Sequence, residues 1–221
     1  MAALDAAASN GSVDSFLRQA GLPEGTLPPD ARAAVADLLA ENERLQAELD
    51  KARERSAHLE RLADEDALMP VANRRAFMRE LSRLMALAKR YDSASSIVYI
   101  DLNGMKVIND HWGHNAGDAA LQHVARLLVE NTRHADVVAR LGGDEFGVLL
   151  VKTDQHNADE KAASLARTIE LHPLVWEGAP IRLSAAFGAY CFDGHEDVGD
   201  AIAAADQAMY RAKQARRAEA D

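Results

Sequence analysis

Val137-Val138-Ala139-Arg140-Leu141-Gly142-Gly143-Asp144-Glu145-Phe146-Gly147-Val148-Leu149-Leu150-Val151 is the stretch whose reading decides the fold. Two apolar runs, Val137–Leu141 and Phe146–Val151, are split by Gly142-Gly143-Asp144-Glu145, the pattern of an antiparallel hairpin. The glycines supply the backbone freedom a tight turn needs. The acids place two carboxylates at its tip. Two glycines and two acids also meet in turns with no function, so the chemistry has to be read from what surrounds this one.

Upstream, Ser96–Leu102 (SIVYIDL) is an apolar strand that carries an acid, Asp101, at its end. A carboxylate in that position faces a ligand or caps a helix. If Asp144 stands on a neighbouring strand tip, the pair makes a two-carboxylate Mg²⁺ site, with substrate phosphates and waters completing the octahedron. Nucleotidyl transfer is normally run this way: the metal neutralises charge on the α-phosphate and acidifies an attacking hydroxyl, and a carboxylate can take the proton. Helices are expected at Arg74–Arg90, Asp118–Thr132, Ala158–Leu171 and from about Val198 to Arg217, with a strand or two within Leu174–Phe192. The fold class is α+β, a mostly antiparallel sheet flanked by helices.

Toward the N-terminus the composition changes. Residues 1–30 are rich in Ala, Gly and Pro, and Leu22-Pro23-Glu24-Gly25 and Pro28-Pro29-Asp30 punctuate a segment with one short helical stretch near Val13–Ala20. From Ala31 to Ala63 there is no Gly or Pro, and good helix formers dominate. Residues 31–65 fit a heptad with Leu38, Leu45, Ala52 and Leu59 at d and Val35, Asn42, Leu49, Ser56 and Ala63 at a. In a parallel dimer Glu48 would face Arg53 and Arg55 would face Glu60 of the other strand, and Asn42 would set the register. A dimerising coiled coil and a solvated helix folded back on the following domain, residues 66–221, are the two readings of this pattern.

The 221 residues, 48% of them hydrophobic, suffice for one core of about 150 residues and an appendage. A formal charge of −10 repels nucleic acid and anionic membranes, so neither is an expected partner, and a phosphate ligand needs a local cluster or a metal. The single cysteine, Cys191, cannot form an internal disulfide and reads as a small residue of an apolar strand. The opening MAALDAAASNG has no basic region followed by an apolar stretch, and no segment approaches the roughly 18 apolar residues of a spanning helix. A cytoplasmic location is expected.

The segment Arg140–Phe146 (RLGGDEF) carries the signature that names the GGDEF family of diguanylate cyclases, which the chain resembles. Asp101–Asp118 (DLNGMKVINDHWGHNAGD) is similar to that family's metal and substrate segment, Ala205–Lys213 (ADQAMYRAK) to its terminal helix, and Asn73-Arg74-Arg75 to the close of its opening motif. The resemblance implies a palm-like fold related to nucleotide cyclases and polymerases. It implies a homodimeric enzyme that condenses two GTP into cyclic di-GMP with release of two pyrophosphates, using Mg²⁺, with Mn²⁺ as the other candidate ion.

Position by position, the resemblance implies that Asp101, Asp144 and the carbonyl of Leu102 hold the metal, that Asp144 also accepts the 3′-hydroxyl proton, and that Glu145 supports metal and phosphates. Asn109 and Asp118 would read the guanine edge, a sensible pairing because Asp accepts and Asn both donates and accepts. His114 would contact substrate or stabilise the loop between them. Lys213 and Arg217, four apart on one helix face, would meet phosphate charge, helped by backbone N–H groups of Asn103, Gly104, Met105 and Lys106. Arg133-His134-Ala135-Asp136 resembles the family's RxxD site for inhibitory product, where Arg133 would grip phosphate or guanine and Asp136 would pair with the guanine edge.

Some positions depart from the family. Met69-Pro70 replaces the usual Thr-Gly of the opening motif, Asn103 and Met105 replace commoner Asp and Phe, and Arg216 replaces a glycine beside Arg217. None is an implied metal ligand or base. Two readings compete with an active cyclase: a silent receptor that binds cyclic di-GMP through Arg133 and Asp136, and a scaffold in which the helix is the working part. Neither would require Asp101, Asp144, Glu145 and Lys213 together.

Overall fold

A computed structural model of the chain describes residues 13, 15, 17–19, 21, 23 and 27–220, with the side chains at 57, 58, 61, 62 and 215–220 outside the description. Val13, Ser15 and residues 17–19 are helical, and the rest of the expected N-terminal helix lies outside the described residues. The chain divides into two compact units, Met1–Arg61 and Leu62–Asp221.

Most of the first unit is one helix, α1, which runs Pro29–Asp64 and crosses into the second. Proline at its first position and Asp30 in its first turn suit a helix N-terminus, where a missing N–H costs nothing and negative charge is favoured. Its surface is laced with short-range ion pairs: Arg44 donates to Glu41 at 2.7 and 2.8 Å and to Glu48 at 3.0 Å. Glu48 is thus already paired along its own helix.

The second unit is built on a five-stranded sheet. Its elements are β1 (Ala72–Asn73), α2 (Arg74–Tyr91), β2 (Ser95–Leu102), α3 (Met105–Trp112), α4 (His114–Glu130), β3 (Val137–Gly142), β4 (Glu145–Leu150), α5 (Gln155–Leu171), β5 (Leu174–Trp176), β6 (Ala179–Ile181), β7 (Ala185–Phe192) and α6 (Val198–Ala220). The strand order is β1-β3-β4-β2-β7, every pairing antiparallel except β1 with β3, and β5 and β6 form a separate hairpin. Central β2 is buried everywhere but at Asp101, which explains why it reads as an unbroken apolar run.

Because side chains alternate along a strand, the sheet carries two cores. Val98, Ile100, Phe146, Val148 and Leu150 belong to one, with Ile108, Leu121, Val124 and Leu165 from α3, α4 and α5. Ile97, Tyr99, Leu149 and Phe192 belong to the other, with Phe77 and Leu81 of α2 and Met209 of α6. The two serines opening β2 are buried yet satisfied: Ser96 donates to the Thr153 carbonyl at 2.7 Å, and Ser95 accepts from the Lys152 N–H at 3.1 Å.

The structure departs from the sequence reading at several elements, and the short parallel strand β1 is one of them. Helix α3 was not expected; eight residues between Gly104 and Gly113 are too few to display a period. Helix α4 starts at His114 rather than Asp118, with Gly113 as N-cap and no capping side chain to announce it. Leu174–Phe192 holds three strands instead of one or two, since β5 and β6 have three residues each. The Met69-Pro70 departure is absorbed in a tight turn, where the Val71 N–H donates to the Met69 carbonyl at 2.8 Å across Pro70.

Candidate active site

The β3–β4 turn is closed from behind by an arginine. Gly142 pairs with Glu145, leaving Gly143-Asp144 as the loop, and Gly143 takes the left-handed conformation (φ +49°). Arg140 forks onto the Gly143 carbonyl through Nε at 3.0 Å and Nη2 at 2.8 Å, and its Nη1 reaches Asp66 at 3.3 Å. Asp66 also accepts the Leu68 N–H at 2.9 Å. The turn is thereby fastened to the segment that precedes α2. Arg140 had no role in the sequence reading; a cation two residues before the glycines was its only trace.

The three expected carboxylates gather at one end of the sheet. Asp101 and Glu145 are Cα partners across β2 and β4, and the Leu102 N–H donates to the Asp144 carbonyl at 3.1 Å. Asp101, Asp144 and Glu145 are all partly exposed. Lys213 of α6 reaches Asp101, Nζ to Oδ1 at 2.5 Å, with the two side chains 27% and 16% exposed. Lys213 was expected to face phosphate; here its ammonium pairs with an implied metal ligand. Arg217 lies in α6, and its side chain is outside the description.

Under Glu145 stands Tyr99, which the sequence reading passed over. Burial pushes its phenol up to about 12, helped by the charge of the nearby Glu145 carboxylate.

Beside the turn, a cavity of about 420 Å³ is lined by Asp144 and Gly143 together with Met105, Lys106, Asn109, His114 and Asp118. The two residues assigned to the guanine edge therefore share one cavity with Asp144. Gly117 explains how Asn109 is seated: a Cβ there would run into the Asn109 Oδ1. Gly104 is the N-cap of α3, so the N–H groups of Met105 and Lys106 open the helix without intrahelical partners. Asn103 does not join them, because its N–H donates to the Ser184 carbonyl at 2.8 Å and its side chain to the Ser184 hydroxyl at 3.2 Å. The expected run of four amide donors therefore loses its first member.

Arg133 and Asp136 lie elsewhere, lining a cavity of about 410 Å³ with Lys152, Asn157 and Lys161. Each Asp136 oxygen already holds a backbone N–H, Oδ2 that of Arg133 at 2.9 Å and Oδ1 that of Val151 at 3.1 Å. Asp136 thus shapes the loop that presents Arg133.

Oxygen donors at the ends of β2 and β4 are what a hard divalent cation takes, and the Lys213 ammonium on Asp101 shows that a cation fits there. Among the described residues no three His, Cys, Asp or Glu side chains converge to hold a metal alone.

The hairpin tip, a strand end and the terminal helix of a mixed sheet thus bring carboxylates, a lysine and a polar cavity together. Residues 63–219 match the family model described as diguanylate cyclase, GGDEF domain, and the chain belongs to that family. It is 37% identical over 149 residues to the diguanylate cyclase DosC of Escherichia coli (strain K12), covering 67% of this chain and 32% of that protein. To the diguanylate cyclase TpbB of Pseudomonas aeruginosa (strain UCBPP-PA14) it is 36% identical over 206 residues, 90% of this chain and 45% of that one. The chain therefore spans less than half the length of these curated relatives. Among solved structures, the GGDEF domain of PA1120 (YfiN or TpbB) from Pseudomonas aeruginosa superposes with a TM-score of 0.61 at 34% identity, covering 65% of this chain and 91% of that one. The coiled coil and GGDEF domain of DgcB from Caulobacter crescentus, in complex with c-di-GMP, superposes with a TM-score of 0.73 at 24% identity over 80% of this chain and 95% of that one, a likeness of fold.

Proposed function

We propose that this chain is a metal-dependent diguanylate cyclase that joins two GTP into cyclic di-GMP and releases two pyrophosphates. The observation that carries the reading is the meeting of Asp101, Asp144 and Glu145 at one strand end with the Asn109–Asp118 cavity beside them. Asp101, Asp144 and the Leu102 carbonyl would hold Mg²⁺ or Mn²⁺, and Glu145 would support it. The bound ion would supply charge neutralisation at the α-phosphate and acidify the attacking 3′-hydroxyl.

Asp144 accepts the 3′-hydroxyl proton as that oxygen bonds to the α-phosphorus of the other GTP and the α–β phosphoanhydride bond breaks. Asn109 and Asp118 hold the guanine edge, and ATP would leave them unpaired. Lys213 exchanges Asp101 for phosphate oxygens when the nucleotide enters, with Arg217 beyond it. His114 lines the cavity and contacts the substrate. Met105, Lys106 and Gly104 offer backbone N–H groups to phosphate, while Asn103 braces the loop against Ser184.

Each domain holds one GTP, so two must face each other, and residues 31–65 would pair to bring this about. Arg133, carried on the loop that Asp136 orders, would bind product and slow the enzyme. No helix among the described residues is long and apolar enough to cross a membrane. A cytoplasmic enzyme using cytoplasmic GTP is the accompanying proposal.

Purified protein incubated with GTP and Mg²⁺ should yield cyclic di-GMP and, given ATP instead, little adenine product. Absence of product with either Mg²⁺ or Mn²⁺, or comparable rates with ATP, would overturn the reading. Arg133→Ala should relieve inhibition by added product while sparing the initial rate; unchanged affinity for cyclic di-GMP would remove Arg133 from that role.

A further inference from the structure

Tyr99 lies in a row that crosses the sheet on the face covered by α2 and α6, with Gly147 of β4 and Gly188 of β7 as its Cα partners. Neither glycine has room for a side chain. A Cβ on Gly147 would stand 2.7 Å from the Phe77 ring, and one on Gly188 would overlap the Met209 backbone nitrogen. Both helices therefore press onto the sheet on either side of Tyr99, which is 6% exposed and part of the apolar core beneath them.

The next row on the same face, two residues along, is Glu145, Asp101 and Ala186. Tyr99 and Glu145 are thus diagonal cross-strand neighbours, within reach of a long aromatic side chain. The Glu145 carboxylate is near enough for its charge to act on the Tyr99 phenol. Phenylalanine would meet the packing demands of this position equally well. What tyrosine adds is a hydroxyl on the row next to a carboxylate of the site.

We propose that Tyr99 is a positioning residue for the reaction, its hydroxyl donating to one oxygen of Glu145 and so holding the other toward metal and phosphates. The inference rests on the role given to Glu145 above. A carboxylate free to turn must be ordered each time substrate binds, and a fixed donor removes that cost. The α6 seat at Gly188 does a parallel service for Asp101, because Lys213 lies one helical turn beyond Met209 on the same face and reaches Asp101. Two neighbouring acids in one row are each held by a donor from the same face of the sheet.

The test is Tyr99→Phe in the full chain, which removes one oxygen and leaves the ring. Loss of one hydrogen bond to a charged group should lower kcat roughly tenfold. The metal concentration for half-maximal rate should rise by a similar factor, with the KM for GTP within about twofold and the unfolding midpoint within about 3 °C of wild type.

Mn²⁺ binding is read without turnover, from the free-ion electron paramagnetic resonance signal in the presence of a GTP analogue lacking the 3′-hydroxyl. It should weaken in Tyr99→Phe. Introduced into Glu145→Gln, the same change should weaken Mn²⁺ binding no further, because a residue acting through Glu145 has nothing left to position. Wild-type kcat and metal requirement in Tyr99→Phe, or an equal loss in the Glu145→Gln background, would overturn the proposal. A wild type inert toward GTP would overturn the proposed function instead, and the Mn²⁺ titrations would still decide the role of Tyr99.

Discussion

Leucines show the contrast between the two units. Leu38, Leu45, Leu49 and Leu59 of α1 are at least 48% exposed, whereas Leu81, Leu128, Leu149 and Leu165 of the second unit are at most 1% exposed. The same side chain, with the same preference for leaving water, is buried at these positions of the second unit and left bare along α1. A sheet covered on both faces closes its core internally. A single helix with an apolar seam cannot, and it gains burial only from another surface. The difference teaches where each half of the proposed function would reside: chemistry in the sheet that closes its own core, assembly along the α1 seam that stays bare.

Three variants would break or sharpen that contrast. The largest effect is expected inside the self-contained unit from Asp144→Ala, which removes a proposed metal ligand and base together and should cost about three or more powers of ten in turnover. Its circular dichroism spectrum and unfolding midpoint should stay close to wild type, because Asp144 is partly exposed in a turn held by Arg140. Turnover within about tenfold of wild type would detach Asp144 from the chemistry.

Phe77→Ala attacks the core itself. The ring is 1% exposed and fills the space a side chain at Gly147 would need, so its loss should cost about 3–5 kcal/mol in a denaturant titration. A cost under about 1 kcal/mol would mean that the face under α2 can collapse to fill the gap.

The smallest effect is expected in α1. Arg53→Glu combined with Glu60→Arg would set like charges against Glu48 and Arg55 of a second strand, in a seam already thinned by Ala52 and Ser56. Exposed pairs contribute little, and Glu48 and Arg53 already pair along their own helix with Arg44 and Asp50, so only a several-fold shift from dimer toward monomer is expected. Sedimentation, with specific activity over a dilution series, measures it. A wild type that is monomeric and fully active when dilute would show that residues 31–65 do not organise catalysis.

The hairpin, the buried strand ending in Asp101 and the long helix were all legible, because each is written in local spacing: two apolar runs around glycines, one unbroken apolar run, and a stretch without Gly or Pro. The family's motifs picked out by residue type most of the residues proposed for the site. What stayed hidden depends on distance across the sheet. Gly117 reads as a flaw in a helix until Asn109 is seen lying over it. Asp136 gives no sign in the sequence that its two oxygens also accept the N–H groups of Arg133 and Val151 and so order the loop. Helix α3 escaped because two glycines bracket it too closely for a period to emerge.

By itself the sequence determined which side chains the molecule could use: acids at a turn and a strand end, an Asn and an Asp nine residues apart, and a lysine on the last helix. Local chemistry was enough for this, because turn glycines and apolar spacing act within a few residues. Only the tertiary structure decided which of them meet. Strand register put Asp101 opposite Glu145, the close approach of α6 at Gly188 brought Lys213 to Asp101 across 112 positions of chain, and Tyr99 came to lie under Glu145. Register and helix seating are set by the packing of the whole core, and a one-residue slip would turn each of these side chains to the other face.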